Sequence, residues 1–269
     1  MIRQPAVAGQ FYPANPLELT HLVERFTAEE MVGKKIQAKG CLVPHAGYVY
    51  SGSVAGAVFS RIHLPKKILL LGVRHRPHGA SLAIVSEGAW RTPLGDVKIH
   101  AELAHSLRLN CPSLVEDEVA HEQEHSLEVE LPFLQVLDRG FQFVPVAIGT
   151  LRYTELEALG KGVARVLQEG PEEILVVTSS DMNHYADEET TKNKDRRAIQ
   201  SMKELNPHGL YEVCLEKDIS MCGLGPAIVM LTAMKEIGVK TGEVVRYATS
   251  GDVSGERDSV VGYVGMIFR

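Results

Sequence analysis

The unbroken apolar run Ile68-Leu69-Leu70-Leu71, entered from Lys67 and left at Gly72, constrains this chain most. Successive side chains of a strand point to opposite faces, so a run with no polar alternate must be covered on both sides. That is the situation of a parallel sheet with helices on either face. A shorter run, Cys41-Leu42-Val43, predicts a second buried strand that stops at Pro44-His45. Between the two, residues 52–59 carry the small side chains of a helix packed closely on a sheet, so this part of the chain reads β-α-β. The same alternation continues with a strand over 141–149, a helix over 155–168 with an apolar stripe, and a strand over 174–178. Asn15 is an N-cap and Pro16 a first helical residue, which predicts a helix over 17–30. Residues 224–237 are apolar nearly all round and predict a buried helix, and 242–248 and 260–268 predict paired strands. No linker, repeat or low-complexity segment divides the chain. The expectation is one α/β domain over residues 1–269, a mixed central β-sheet with helices on both faces.

Charge excludes several function classes. Lys and Arg number 28 against 34 Asp and Glu, giving a net charge of −6, the wrong sign for the counterion release that drives non-specific nucleic-acid binding. The basic run 192–197, interrupted by Asp195, predicts a solvated helix face. No apolar stretch approaches the roughly 20 residues of a bilayer crossing, and the first residues lack an apolar signal core, so no membrane association and a cytoplasmic location are expected. The four cysteines, at 41, 111, 214 and 222, form no CxxC pair, and a disulfide framework is not expected. The 11 histidines, by contrast, outnumber Tyr, Phe or Trp.

Four polar segments follow apolar strands or open a helix, where α/β folds collect their ligands: Pro44-His45-Ala46-Gly47-Tyr48, Gly72-Val73-Arg74-His75, Ser179-Ser180-Asp181-Met182-Asn183-His184 and Cys222-Gly223-Leu224-Gly225-Pro226. A lone loop histidine is ordinarily a surface residue, but three such loops at strand exits suggest one site. Imidazole and thiolate suit zinc, copper and iron, whereas calcium and magnesium take oxygen. Cys222 stands near a helix N-terminus, where free backbone N–H groups favour a thiolate. The plain alternative for it, and the reading for Cys41, Cys111 and Cys214, is a small buried hydrophobe.

Two other chemistries compete. His121-Glu122-Gln123-Glu124-His125 fits the H-E-x-x-H pattern of zinc proteases, but Pro132 follows too soon for a long helix, and Glu128 and Leu131 stand where the extended form requires Gly and His. His125 is still able to face a pocket. Alternatively, Cys222 as nucleophile, His184 as base and Asp181 as orienting carboxylate would make a cysteine hydrolase. The residues alone leave the metal and hydrolase readings open.

Taken together, the segments 5–13, 44–48, 72–75, 91–95, 124–133, 179–184 and 222–226 resemble the Memo family, which includes mediators of cell motility and the prokaryotic AmmeMemoRadiSam system protein B type. The resemblance runs in order from end to end. It implies a fold similar to class III extradiol (LigB-type) dioxygenases, which open catechol rings with non-haem iron(II). Carried over by position, it makes His45, His75 and Cys222 the metal ligands, His184 the acid/base histidine, His125 a pocket residue and Asp181 a partner of the ligands. His78 and His121 match nothing in it and are expected at the surface. The dioxygenases use two histidines and a carboxylate, so Cys222 in the third place shifts preference toward copper or zinc and makes the site oxidisable.

The leading expectation is a protein holding iron(II), copper or zinc and performing redox or oxygen-dependent chemistry on a small molecule, as a dioxygenase-like oxidoreductase. The alternative is a non-enzymatic module binding a peptide or protein in the same cleft. The resemblance also implies radical-SAM and AMMECR-type partner proteins, and a homodimer is the commonest assembly for such a chain.

Overall fold

A computed structural model describes residues 1–28, 35–170 and 173–269. Its strands are β1 (Ile2–Arg3), β2 (Gly40–Val43), β3 (Lys67–Val73), β4 (Leu82–Ile84), β5 (Ala89–Thr92), β6 (Gly95–Lys98), β7 (Val115–Glu116), β8 (Gln142–Ile148), β9 (Ile174–Ser179), β10 (His184–Ala186), β11 (Gly242–Thr249) and β12 (Val260–Phe268). The helices are α1 (Pro16–Ala28), α2 (Tyr48–Arg61), α3 (Ala101–Asn110), α4 (Val119–Glu122), α5 (Leu131–Leu137), α6 (Tyr153–Glu169), α7 (Glu188–Lys203), α8 (Pro207–Glu216), α9 (Leu224–Glu236) and α10 (Gly251–Ser254). The large sheet runs in the order β10-β12-β2-β9-β3-β8-β4-β7, with β11 paired to β12, and β1, β5 and β6 form a separate small sheet. Its centre, β2-β9-β3-β8, is parallel, and both flanks are antiparallel to it. The fold is therefore the mixed α/β sheet with helices on both faces that the apolar runs demand.

The run in β3 shows why. Ile68 and Leu70 enter the apolar layer shared with α1, α2 and α5, whereas Leu69 and Leu71 enter the opposite layer under α3, α6, α8 and α9. All four are essentially inaccessible to solvent. α9 is apolar on every side because it packs on the sheet through one face and against α6 and α8 through others. No helix among the described residues is long and apolar enough to cross a membrane.

Three details depart from expectation. Residues 29 and 30, expected in the first helix, lie outside the described residues. The small residues of α2 do not all serve helix-on-sheet packing: a Cβ on Gly56 would lie 2.5 Å from the Phe26 carbonyl oxygen, so this glycine lets the backbones of α1 and α2 touch. On α7 the basic residues are outward as expected, but Asp195 is fully buried. Its Oδ1 accepts the Asn183 N–H at 2.9 Å and its Oδ2 the Tyr247 hydroxyl at 2.7 Å. The acid that interrupts the basic run is thus a buried tie between α7, β11 and the segment leading to His184.

Two outcomes are expected. Gly56→Ala forces α1 from α2 and lowers unfolding free energy by about 1–3 kcal/mol, the cost of overpacking, read as a lower urea midpoint. Burial raises the Asp195 pKa to about 6 against the Tyr247 and Asn183 hydrogen bonds. As pH rises from 4, the unfolded carboxyl ionises first and the folded one only near 6, so this group's contribution to stability is present at low pH and lost across that window. Asp195→Asn removes the loss, and thermal melts should shift in the variant's favour between pH 4 and 6, by up to about 3 kcal/mol.

Candidate metal site

The adjacent parallel strands β2, β9 and β3 all end at the same edge of the sheet. Strand spacing of about 4.8 Å puts the backbones after β2 and β3 roughly 10 Å apart, with the end of β9 between them. His45 follows β2, His75 follows β3 and Asp181 follows β9. The side chains close the gap, with the His45 and His75 rings 5.2 Å apart, edge to face. His125, from the segment before the 3-10 turn Glu128–Glu130, stacks on His75 at 4.5 Å and meets His45 edge-on at 5.4 Å. One ring nitrogen from each of the three lies within 4.8 Å of the others. His45 is buried, His125 half-buried and His75 the most open to solvent.

The hydrogen bonds fix which nitrogens face inward. Ser179 Oγ donates to Glu130 Oε1 at 3.3 Å, so at 2.6 Å from His45 Nδ1 it accepts that N–H. Glu124 accepts the His75 Nδ1–H at 2.8 Å through Oε1 and the His75 backbone N–H at 2.6 Å through Oε2. It also accepts the Ser126 N–H at 2.8 Å. With Nδ1 spent, His45 and His75 keep the Nε2 lone pair free, the arrangement that carboxylate and hydroxyl partners impose on metal-binding imidazoles. Burial, then the His75 ring, pulls the His45 pKa down to about 3. Burial and the His45 ring take His125 down to about 4. Both are neutral at physiological pH, as ligation requires. This donor set fits a metal ion.

Glu124 is buried and nonetheless ionised. Burial opposes its charge, but the His75 hydrogen bond, the Ser126 amide and the His125 ring outweigh burial and bring its pKa to about 2. Glu130 goes the other way. Burial and the nearby Asp181 hold it well above the ordinary range against the Ser179 bond, so it is a neutral acid.

Cys222 Sγ lies 3.1 Å from His45 Nε2 and accepts the Asp181 N–H at 3.2 Å. Burial, then Asp181, raises its pKa against the surrounding hydrogen bonds, so without metal it is a thiol, with His45 Nε2 at 3.1 Å and the Asp181 carbonyl at 3.6 Å as acceptors for its S–H. The helix-terminus argument for a thiolate is overturned by that burial. Asp181 places its carboxylate on the His45 and Ala46 backbone N–H groups, at 2.8 and 3.3 Å. His184 donates its Nδ1–H to the Ser220 carbonyl at 2.9 Å and keeps Nε2 free. Neither the His184 ring nor the Asp181 carboxylate is hydrogen-bonded to Cys222, so the hydrolase arrangement is not assembled.

The sequence pattern also missed partners. His121 is buried rather than at the surface, with Nδ1 on the Asp117 carbonyl at 2.9 Å, in the single-turn helix α4. The H-E-x-x-H geometry of one continuous helix is absent there, and the glutamate that serves the site is Glu124, not Glu122. His78 is exposed as expected. Tyr185, next to His184, takes a left-handed φ of 62° and projects its ring to solvent.

Glu124→Gln puts an NH2 group against one of three N–H donors. The metal-free protein should lose about 2–3 kcal/mol of unfolding free energy by urea titration, and metal affinity should fall about 10–100-fold.

The Memo-like protein model matches residues 3–267. A MEMO1 family protein of Aquifex aeolicus is 42% identical over 99% of both chains, and one of Methanopyrus kandleri is 38% identical over 100% of this chain and 99% of its own. In structure the chain is similar to an uncharacterized protein from Escherichia coli K12, with a TM-score of 0.58 at 12% identity over 86% of this chain and 100% of that one, a likeness of fold alone. With a family match over nearly its whole length and relatives that align end to end, the chain belongs to the Memo family.

Proposed function

We propose that the chain is a metal-dependent oxidoreductase holding iron or copper on His45 and His75, with Cys222 as the third ligand and His125 beside them. The observation that carries this is the anchoring of Nδ1 on both strand-end histidines, by Ser179 and by Glu124, which leaves two neutral Nε2 atoms on one space. A resident iron or copper ion would supply redox chemistry and a Lewis-acidic position for a small-molecule substrate.

The chain's own groups have separable duties. Glu124 holds the His75 ring by its Nδ1–H, and Asp181 fixes the turn that carries His45. Because the Cys222 S–H proton sits toward His45 Nε2, ligation by sulfur displaces that proton, and binding strengthens as pH rises. His184, with Nδ1 committed to Ser220, takes or returns a proton at Nε2 toward a bound molecule, a role supported by its charge interaction with His45 and Asp181. Phe11 packs on the His125 ring at 4.7 Å.

Metal analysis of untagged protein tests the reading. Wild type should carry about one equivalent of iron or copper, and the triple variant His45→Ala, His75→Ala, Cys222→Ser none. In copper-loaded protein a sulfur-to-metal charge-transfer band should vanish in Cys222→Ser and persist in His125→Ala. Equal metal in wild type and triple variant rejects the site, and full metal loading with no sulfur-to-metal band, lost in His125→Ala but not in Cys222→Ser, reassigns the third ligand to His125.

A further inference from the structure

Tyr12, Tyr48 and Tyr247 each commit their hydroxyl inside the protein, to the Glu128 carboxylate, the Val129 carbonyl and the Asp195 carboxylate. Tyr263 does not. It is 2% exposed, yet its hydroxyl forms no hydrogen bond among the described residues, and unlike the unmatched hydroxyls of Thr178 and Thr232 it is not sealed from solvent. A donor at the open tip of a buried ring is matched only by what enters there.

The strand register places that tip. Met266 of β12 lies opposite Leu42 of β2, and continuing the antiparallel count puts Tyr263 level with His45. Its neighbour Gly262 donates to the Asn183 carbonyl and accepts the Met182 N–H, both at 2.9 Å, so this part of β12 runs beside the segment after β9. Side chains alternate along β12, with Val264 and Met266 in the layer under α9 and Ile267 in the layer of α2, which turns Tyr263 toward α2. Gly265 meets Val54 and Val58 of that helix, and Tyr263, two residues earlier in the strand, lies toward the helix start, where Tyr50 stands. Burial, then Asp181, Tyr50 and Tyr185, pushes the Tyr263 pKa up, so the hydroxyl stays a neutral donor among those three groups.

Tyr185 reaches this edge through a backbone irregularity. The pairing of β10 with β12 sets His184 opposite Val261 and Ala186 opposite Val260, which leaves Tyr185 as a bulge residue. Its φ is 62° and its ring is 79% exposed. Neither the left-handed backbone nor the exposed ring stabilises the chain, the pattern of a residue placed for contact with a ligand. Because the groups that reach the Tyr263 hydroxyl are all acids, an anionic oxygen finds no counter-charge there, and a neutral carbonyl is the acceptor that fits.

We propose that the Tyr263 hydroxyl is the recognition donor of the strand-end site and binds the carbonyl oxygen of a neutral, flat small molecule, an aldehyde, ketone or amide, whose body lies against Tyr50 and Tyr185. This rests on the reading of that sheet edge as the substrate position and adds the chemical class of the substrate.

Benzamide is the probe, with toluene, which lacks the carbonyl, and benzoate, which puts a charge on it, as comparisons. The amide 15N–1H shifts of residues 184–186 and 262–263 in metal-free protein report binding. Benzamide should shift them saturably in the millimolar range or below, and toluene and benzoate should bind about tenfold more weakly. Tyr263→Phe should cost benzamide about tenfold and toluene nothing. Circular dichroism melts check that this variant folds, and the comparison of the three compounds on wild type stands if it does not. No saturable shift with benzamide, equal affinity for benzamide and toluene on wild type, or equal losses for both in Tyr263→Phe overturns the proposal. Each does so whatever the metal content of the His45→Ala, His75→Ala, Cys222→Ser variant, which tests the metal reading alone.

Discussion

The carboxylate of Glu124 is the tie on which the site depends. It receives three N–H groups from His75 and Ser126, and its own carbonyl receives Arg3 from the strand β1. One side chain thereby joins the end of β3, the segment that carries His125, and the small sheet. An ionised carboxylate with no solvent exposure is costly unless its oxygens are filled, and here the filling groups are the ones the site needs to orient. Stability and function are therefore coupled at this residue. A change that loosens His75 also leaves a buried charge unmatched.

A similar logic governs the next shell of acids. Glu128 is buried and takes the Arg3 guanidinium, the Ala6 and Val7 N–H groups and the Tyr12 hydroxyl, so the segment 5–13 wraps a single carboxylate. Glu130, two residues on, meets only the Ser179 hydroxyl, and its Oε2 has no partner. The two acids differ in what surrounds them. One is neutralised by a cation and three further donors, and the other is kept neutral by holding its proton. The chain from His45 Nδ1 through Ser179 thus ends on the Oε1 of a neutral acid.

Much of the fold was legible because apolar runs obey a simple rule. β3, β9, α6 and α9 are where the patterning put them, since a sheet covered on both faces leaves no polar alternates to confuse the reading. His45 and His75 were legible for a related reason: each is the first histidine past the end of a buried strand, at the edge where parallel strands leave their loops. The missing partners lie far along the chain. Glu124 serves His75 from 49 residues away and Glu128 holds Arg3 from 125, and no local pattern encodes such pairs. Asp195 was hidden by its neighbours, because charged residues on either side face solvent while one helical position turns inward to Tyr247. His121 was hidden the same way, by a short helix that the motif made to look longer.

Cys222 shows why a local electrostatic rule can point the wrong way. N–H groups near a helix start do favour a thiolate, and a further N–H, from Asp181 past the end of β9, reaches the sulfur. But the sulfur also lies near the Asp181 carboxylate in an enclosed space, and desolvation with like charge outweighs a few dipoles. The resting partner of the S–H is the lone pair of His45, so sulfur and imidazole satisfy each other when no ion is present. A cation held there would reverse the balance, since the His45 nitrogen and the Cys222 sulfur would each offer it a lone pair once the proton between them had left. The pair thus gives the metal-free site a closed and neutral resting form, which stabilises the fold without leaving the ligands unpaired.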